Sequence, residues 1–114
     1  MSITVDLPAS PGQIAVGRRD DVVEMLRRHE PEIRGFGATA LFLFGSAARD
    51  EMTAASDVDV FIDCETEGSF SLIELIGLKE YLGDVVGRKV DVMTRDGLHR
   101  VLKAGIEQSS LRIF

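Results

Sequence analysis

Residues 58 to 63, VDVFID, alternate between core-forming and other side chains without interruption. Strict period-two alternation marks a strand with one face buried. It places Val58, Val60 and Ile62 on the core face, and Asp57, Asp59, Phe61 and Asp63 on the other. Asp57 and Asp59 then project from the same side, roughly 6.5–7 Å apart at their Cα atoms. Carboxylates held that close repel one another, and a hard divalent cation with oxygen ligands is the direct compensation. A later run, KVDVMT at 89–94, puts Val90 and Val92 on the core face and Asp91 on the opposite one. With the two strands as neighbours, three carboxylates meet on one sheet face, enough for two Mg²⁺ ions shared with a polyphosphate.

A glycine turn precedes the first of these strands. The apolar run ATALFLF is stopped by Gly45 and reads as a buried strand. A short helical turn is expected to start at Ser46, whose hydroxyl suits an N-cap. Gly45 permits a sharp turn and lets a phosphate approach the main chain closely. Amides at the start of the turn point their N–H groups at an anion. Ser46 adds a hydroxyl donor, and Arg49, one turn along, adds a forked charge. Phosphates at the turn and metals on the carboxylates place a nucleoside triphosphate between them.

Around these pieces the chain supplies helices. From Arg18 to about Glu30, Val22, Met25, Leu26 and later Ile33 recur at helical spacing, and Pro31 ends or bends that helix. Residues 69 to 86 form a second long helix, capped by Ser69 or Ser71 and ended near Gly87, with Leu72, Leu75, Leu78 and Leu82 on its core side. Asp96 to about Ser109 reads as a closing helix. Residues 1 to 17 are poorly readable: SITV is a candidate edge strand, broken up afterwards by Pro8, Pro11, Gly12 and Gly17. The order α, β, short α, β, α, β, α predicts one α/β domain over 1–114, a small mixed β-sheet with helices packed mainly on one face. The step from VDVFID to KVDVMT suits a right-handed crossover.

A length of 114 residues fits that single domain, and an apolar fraction of 45% is ordinary for a globular chain. No apolar run approaches the roughly 20 residues that span a bilayer, and no basic-then-apolar leader opens the chain, so a cytoplasmic protein without membrane contact is expected. The lone Cys64 has no internal disulfide partner and agrees with a reducing compartment. Thirteen basic against nineteen acidic residues leave a net charge of −6, with the basic ones scattered. That balance disfavours nucleic acid as the main partner.

The ordered set Gly45-Ser46, residues 47 to 56, Asp57-Val58-Asp59 and a later strand with Asp91 resembles the motif of the nucleotidyltransferase superfamily that includes DNA polymerase beta. It is most similar to the minimal nucleotidyltransferases of that superfamily. The resemblance runs from about Arg18 to the C-terminus. The stretch LKEYLGDVVGRKVDVMTRDGLH looks like the MntA-type antitoxins of HEPN/MNT toxin–antitoxin modules. One departure is Asp50, since these proteins often carry Gly after Ala-Arg; here a negative charge is expected near the phosphates.

What the resemblance implies is a polymerase beta-like fold and Mg²⁺-dependent transfer of a nucleoside monophosphate to a hydroxyl, with release of pyrophosphate. Two metals clamp the attacking and leaving oxygens in such a displacement. By the same resemblance Asp57 and Asp59 are metal ligands, and Asp91 is the acceptor-side ligand and candidate base. Gly45, Ser46 and Arg49 become nucleotide-binding residues, ATP the substrate, and a HEPN-domain ribonuclease toxin, modified on a tyrosine, the partner. Larger members append a helical domain for base and acceptor; the catalytic fold uses this whole chain, so the acceptor surface is expected from the partner. Two other readings stay open: a non-catalytic antitoxin that binds its partner stoichiometrically, and a transferase acting on a small molecule or an RNA end.

Other polar residues read as ordinary surface. His29 and His99 fall on predicted helices with no ligand-spaced cluster around them. Asp63 reads as a solvated carboxylate at the strand's end, Lys79 and Glu80 as an exposed helix face, Lys103 as a solvated lysine, and Tyr81 as packing.

Overall fold

The computed structural model describes residues 17–65 and 71–114. The expected strand at SITV and the alternative cap Ser69 lie outside the described residues. In chain order the elements are α1 (Arg19–Arg28), α2 (Glu30–Gly35), β1 (Ala38–Phe44), α3 (Gly45–Ala48) and β2 (Val58–Cys64). There follow α4 (Leu72–Val86), β3 (Val90–Thr94), a 3₁₀ turn (Arg95–Gly97), α5 (Lys103–Ser109) and β4 (Leu111–Arg112). The four strands form one mixed sheet in the order β3-β2-β1-β4. β1 is antiparallel to both β2 and β4, whereas β2 and β3 are parallel. Parallel neighbours need a crossover, and α4 provides it.

The alternation read from the sequence decides which face is buried. Val58, Val60 and Ile62 of β2, Leu41 and Leu43 of β1 and Val90 of β3 meet Val22 and Leu26 of α1 and Leu78, Leu82 and Val86 of α4 in one core. Each such side chain contributes roughly 1.5–3 kcal/mol when fully buried. A one-residue slip of β2 would exchange Val58 and Val60 for Asp59 and Phe61 in that core, so the register is strongly specified. The opposite face carries a smaller apolar cluster, Phe44, Phe61 and Leu98 with Phe42, Met93 and Ile106 against it. The returning C-terminal segment thus covers part of the carboxylate-bearing face, which is why Phe61 is fully buried there.

The ends of α4 follow their sequence signals. Ser71 caps it, accepting from the Glu74 amide at 3.2 Å while Glu74 accepts from the Ser71 amide at 3.0 Å. Gly87, at φ 76°, closes it in the left-handed conformation that glycine adopts freely. Elsewhere the structure differs from expectation. The first helix stops at His29, and Pro31 lies in the first turn of α2 instead of ending α1, since that turn needs no amide hydrogen there. The closing helix is interrupted: the Thr94 hydroxyl accepts from the Gly97 amide at 3.1 Å, holding a 3₁₀ turn, and His99 lies outside any helix, just beyond the bend at Leu98. Leu72 is 70% exposed, so the core side of α4 begins at Leu75. Among the described residues no helix is long and apolar enough to cross a membrane.

Candidate active site

The parallel register of β2 and β3 pairs Val58 with Val90, Asp59 with Asp91 and Phe61 with Met93, an offset of 32 residues. Extending that offset one position beyond each end brings Asp57 to Lys89 and Asp63 to Arg95, and both couples are ion pairs. On the face away from the main core, the rungs are therefore Asp57–Lys89, Asp59–Asp91, Phe61–Met93 and Asp63–Arg95. Three are complementary. The Asp59–Asp91 rung sets two like charges on adjacent strands, about 4.8 Å apart in the pairing direction, an arrangement that destabilises a sheet unless something compensates.

Asp59 is the side chain most affected. Partial burial, then the charges of Asp91 and Asp57, push its carboxyl above the usual carboxylate range, with Lys89 offsetting part of the shift. Gly45 lies against it. Phe44 is the cross-strand partner of Asp59, and Gly45 follows with φ 73°. A Cβ on Gly45 would stand 2.7 Å from Asp59 Oδ2, so only glycine leaves room for the carboxylate. The glycine turn and the acidic strand are thus in contact.

α3 begins at Gly45 itself, with Phe44 in the cap position and no side-chain cap. Ser46 consequently lies inside the helical turn; it is not the N-cap. Arg49 turns outward, its Nε 2.9 Å from Glu51 Oε1, with both side chains more than half exposed. Asp50 has φ 58°, in the left-handed region that glycine adopts most freely. Its carboxylate does not stand free beside the turn: Asp50 Oδ1 accepts the Arg19 amide at 2.9 Å, satisfying one of the open donors at the start of α1.

The segment from α3 to β2 delivers Asp57 just ahead of the strand. Arg88 Nη1 donates to the carbonyls of Thr53 at 2.8 Å and Ser56 at 3.0 Å, and the Val58 amide donates to the Lys89 carbonyl at 3.0 Å. The two residues before β3 therefore fix the approach to β2. Two lysines complete the cluster: Lys79 Nζ of α4 lies 3.6 Å from Asp91 Oδ1, and Lys89 Nζ lies 3.7 Å from Asp57 Oδ2. Lys89 was legible in principle, since it shares the parity of Asp91. Lys79 reaches the site from another element, and no local pattern in the sequence signals that.

Among the described residues, no three acidic, His or Cys side chains stand ready as a metal-binding group. Asp57 and Asp91 are each engaged by a lysine instead. The donor set nonetheless fits a hard divalent cation, being all oxygen and carrying three negative charges that two ammonium groups only partly balance.

At the far end of the face, Asp63 is no solvated carboxylate. Arg95 holds it with two bonds, Nε to Oδ1 at 2.7 Å and Nη2 to Oδ2 at 2.9 Å, and reaches Glu107 with Nη1 at 2.8 Å. The guanidinium also covers the rings of Phe42 and Phe61 at 4.8 and 5.0 Å. These hydrogen bonds hold the Asp63 carboxyl below the usual range and raise Arg95 further above its own. His29 lies between α1 and α2, where its Nδ1 is 2.8 Å from the Met25 carbonyl oxygen; Tyr81 packs against His29 and Phe36.

Comparison with known proteins points the same way as this geometry. The nucleotidyltransferase domain family matches residues 17–113. A Methanocaldococcus jannaschii protein, provisionally named a protein adenylyltransferase, is 36% identical over 95 residues, 82% of this chain and 95% of that protein. The protein adenylyltransferase MntA of Thermococcus cleftensis is 35% identical over 94 residues, covering 82% and 89% of the two chains. A solved structure provisionally described as a minimal nucleotidyltransferase superposes with a TM-score of 0.64 at 27% identity, over 78% of this chain and 93% of that one. The fold is also that of a chain in a Shewanella oneidensis complex, described as a tri-AMPylated HEPN toxin with its MNT antitoxin. There the TM-score is 0.60 at 15% identity, over 81% and 71% of the chains.

Proposed function

We propose, from the premise that this chain belongs to the nucleotidyltransferase domain family and is a nucleotidyltransferase enzyme, that it transfers AMP from ATP to a tyrosine hydroxyl of a HEPN-domain ribonuclease toxin and so serves as its antitoxin. The observation that carries the reading is the like-charged rung Asp59–Asp91, flanked by Asp57 and set against Gly45. A sheet gains nothing in stability from such a rung, whereas phosphoryl chemistry needs it. The relatives named protein adenylyltransferases support the reaction class, and the HEPN complex of a similarly folded antitoxin supports the partner.

In this reading Asp57, Asp59 and Asp91 hold Mg²⁺, two ions in the full complex. Bound there, the metal would neutralise charge on the triphosphate and stabilise the displacement at the α-phosphorus. The protein's own contributions are positional. Gly45 leaves the backbone open for the triphosphate next to Asp59, with Ser46 beside it as a hydroxyl donor. Arg49 can serve the phosphates only by leaving Glu51. Asp91, on the edge strand β3, takes the proton from the incoming hydroxyl.

The test is incubation with labelled ATP, Mg²⁺ and the toxin encoded beside it, expecting label on a toxin tyrosine. A toxin that is neutralised without acquiring label would remove catalysis from the account. An Asp57→Ala, Asp59→Ala protein that stays folded and still neutralises equally well would establish stoichiometric blocking instead.

A further inference from the structure

The carboxylate-bearing face holds two kinds of ion pair, and the difference between them is informative. Asp63 is gripped by a planar guanidinium through two bonds of 2.7 and 2.9 Å, with both side chains about one-third exposed. That is the short, bidentate geometry of a fixed structural pair. Asp91 and Asp57 are approached by single ammonium groups at 3.6 and 3.7 Å, on lysine side chains 45% and 62% exposed. Those distances are too long for charge-assisted hydrogen bonds, and ammonium groups on flexible stems make loose, exchangeable partners.

The lysines come from different elements, α4 and the approach to β3, and engage the two outer carboxylates of the cluster. No ion pair to Asp59 is present among the described residues. We propose that Lys79 and Lys89 are tethered counter-ions of the metal-free site, which a divalent cation must displace from Asp91 and Asp57 in order to bind. They keep three neighbouring carboxylates tolerable before the substrate complex arrives, and their release makes metal binding an exchange of cations. Metal affinity is thereby set partly by residues that are not ligands. This inference rests on the metal-dependent reading given above.

The test uses Mn²⁺ alone, without nucleotide, and measures its binding by calorimetry together with the thermal midpoint in EDTA. Lys79→Met and Lys89→Met should each lower the melting midpoint of the metal-free protein. Each should also tighten Mn²⁺ binding about two- to five-fold, the range spanned by exposed ion pairs. Lys79→Arg should weaken Mn²⁺ binding, because a guanidinium can lock Asp91 as Arg95 locks Asp63; a general charge effect would leave this variant unchanged. Lys103→Met, whose lysine pairs with Asp96 at 3.4 Å, removes the same charge elsewhere and should bind as the wild type does. Lysine variants that bind Mn²⁺ no more tightly than wild type, or a Lys103→Met that tightens as much, overturn the inference and leave the transferase reading standing. A wild-type protein with no Mn²⁺ binding overturns the inference, and the labelled-ATP assay then decides the transferase reading separately.

Discussion

Substituting Gly45 by alanine perturbs the site by one methyl group, and the structure says what that group meets. The new carbon would lie 2.7 Å from Asp59 Oδ2 and 3.5 Å from both Cβ and Cγ of the same side chain. To reach ordinary van der Waals separation the carboxylate must retreat by roughly 0.5–1 Å. Asp91 and Asp57 already repel it from the other sides. The backbone adds its own penalty, since φ 73° places an L-residue in the left-handed region at about 1–2 kcal/mol. Misplacement of a catalytic group by about 1 Å can reduce rate roughly 100-fold. The expectation is therefore a folded protein, destabilised by about 1–2 kcal/mol in urea, whose AMP transfer at saturating ATP falls by about two orders of magnitude.

Gly35→Ala is the matched control. Nothing lies within 4 Å of the added carbon and its φ is not positive, so stability should be unchanged or slightly raised and transfer intact. If Gly45→Ala transfers AMP within about threefold of wild type, or loses activity only in proportion to its unfolded fraction, the close fit of glycine and carboxylate is not what the site depends on.

Asp59→Asn should abolish transfer, by at least about 100-fold, yet raise the urea midpoint of the metal-free protein near neutral pH. The sign follows from linkage: the folded Asp59 carboxyl sits above its unfolded value of about 3.9, so its stabilisation is complete in acid and is lost as pH rises through the folded pKa. A lower midpoint for the asparagine variant in EDTA would contradict this. Arg95→Met removes the bonds to Asp63 and Glu107 and should cost about 1–3 kcal/mol. Here the sign reverses: Asp63 is depressed, so its contribution is present above about pH 4 and fades as pH falls through the folded pKa, and the two proteins should converge in acid denaturation.

Much of this arrangement was legible because it depends on parity. Valines at 58, 60, 90 and 92 can face only one way in a sheet, so Asp59 and Asp91 had to share the other face. The capping signals at Ser71, Glu74 and Gly87 are local and were equally readable. What escaped depends on contacts that no periodicity encodes. β4 consists of two residues, too few for any periodicity, and exists because β1 offers them an edge. The break before α5 comes from a hydroxyl at Thr94 capturing a nearby amide. Asp50 looked like an intruding charge; only the fold brings the first turn of α1, 31 residues away, to its carboxylate. Leu72 fits the helical spacing of a core position, but it lies at the helix start, beyond the part of α4 that meets the sheet.

The offset of 32 residues between β2 and β3 also answers how the chain tolerates a repulsive pair at a place where alignment matters most. Sliding β3 by two residues in one direction sets Arg95 opposite Phe61; sliding it in the other sets Asp91 there. One slide would bring a carboxylate to the Phe44–Phe61–Leu98 cluster, and either would break the Asp57–Lys89 and Asp63–Arg95 ion pairs. Strand alignment is thus guarded by the apolar rung Phe61–Met93 and by the ion pair Asp63–Arg95 beyond it. The Asp59–Asp91 rung is therefore not what specifies the register, and its repulsion is carried by its neighbours in the sheet.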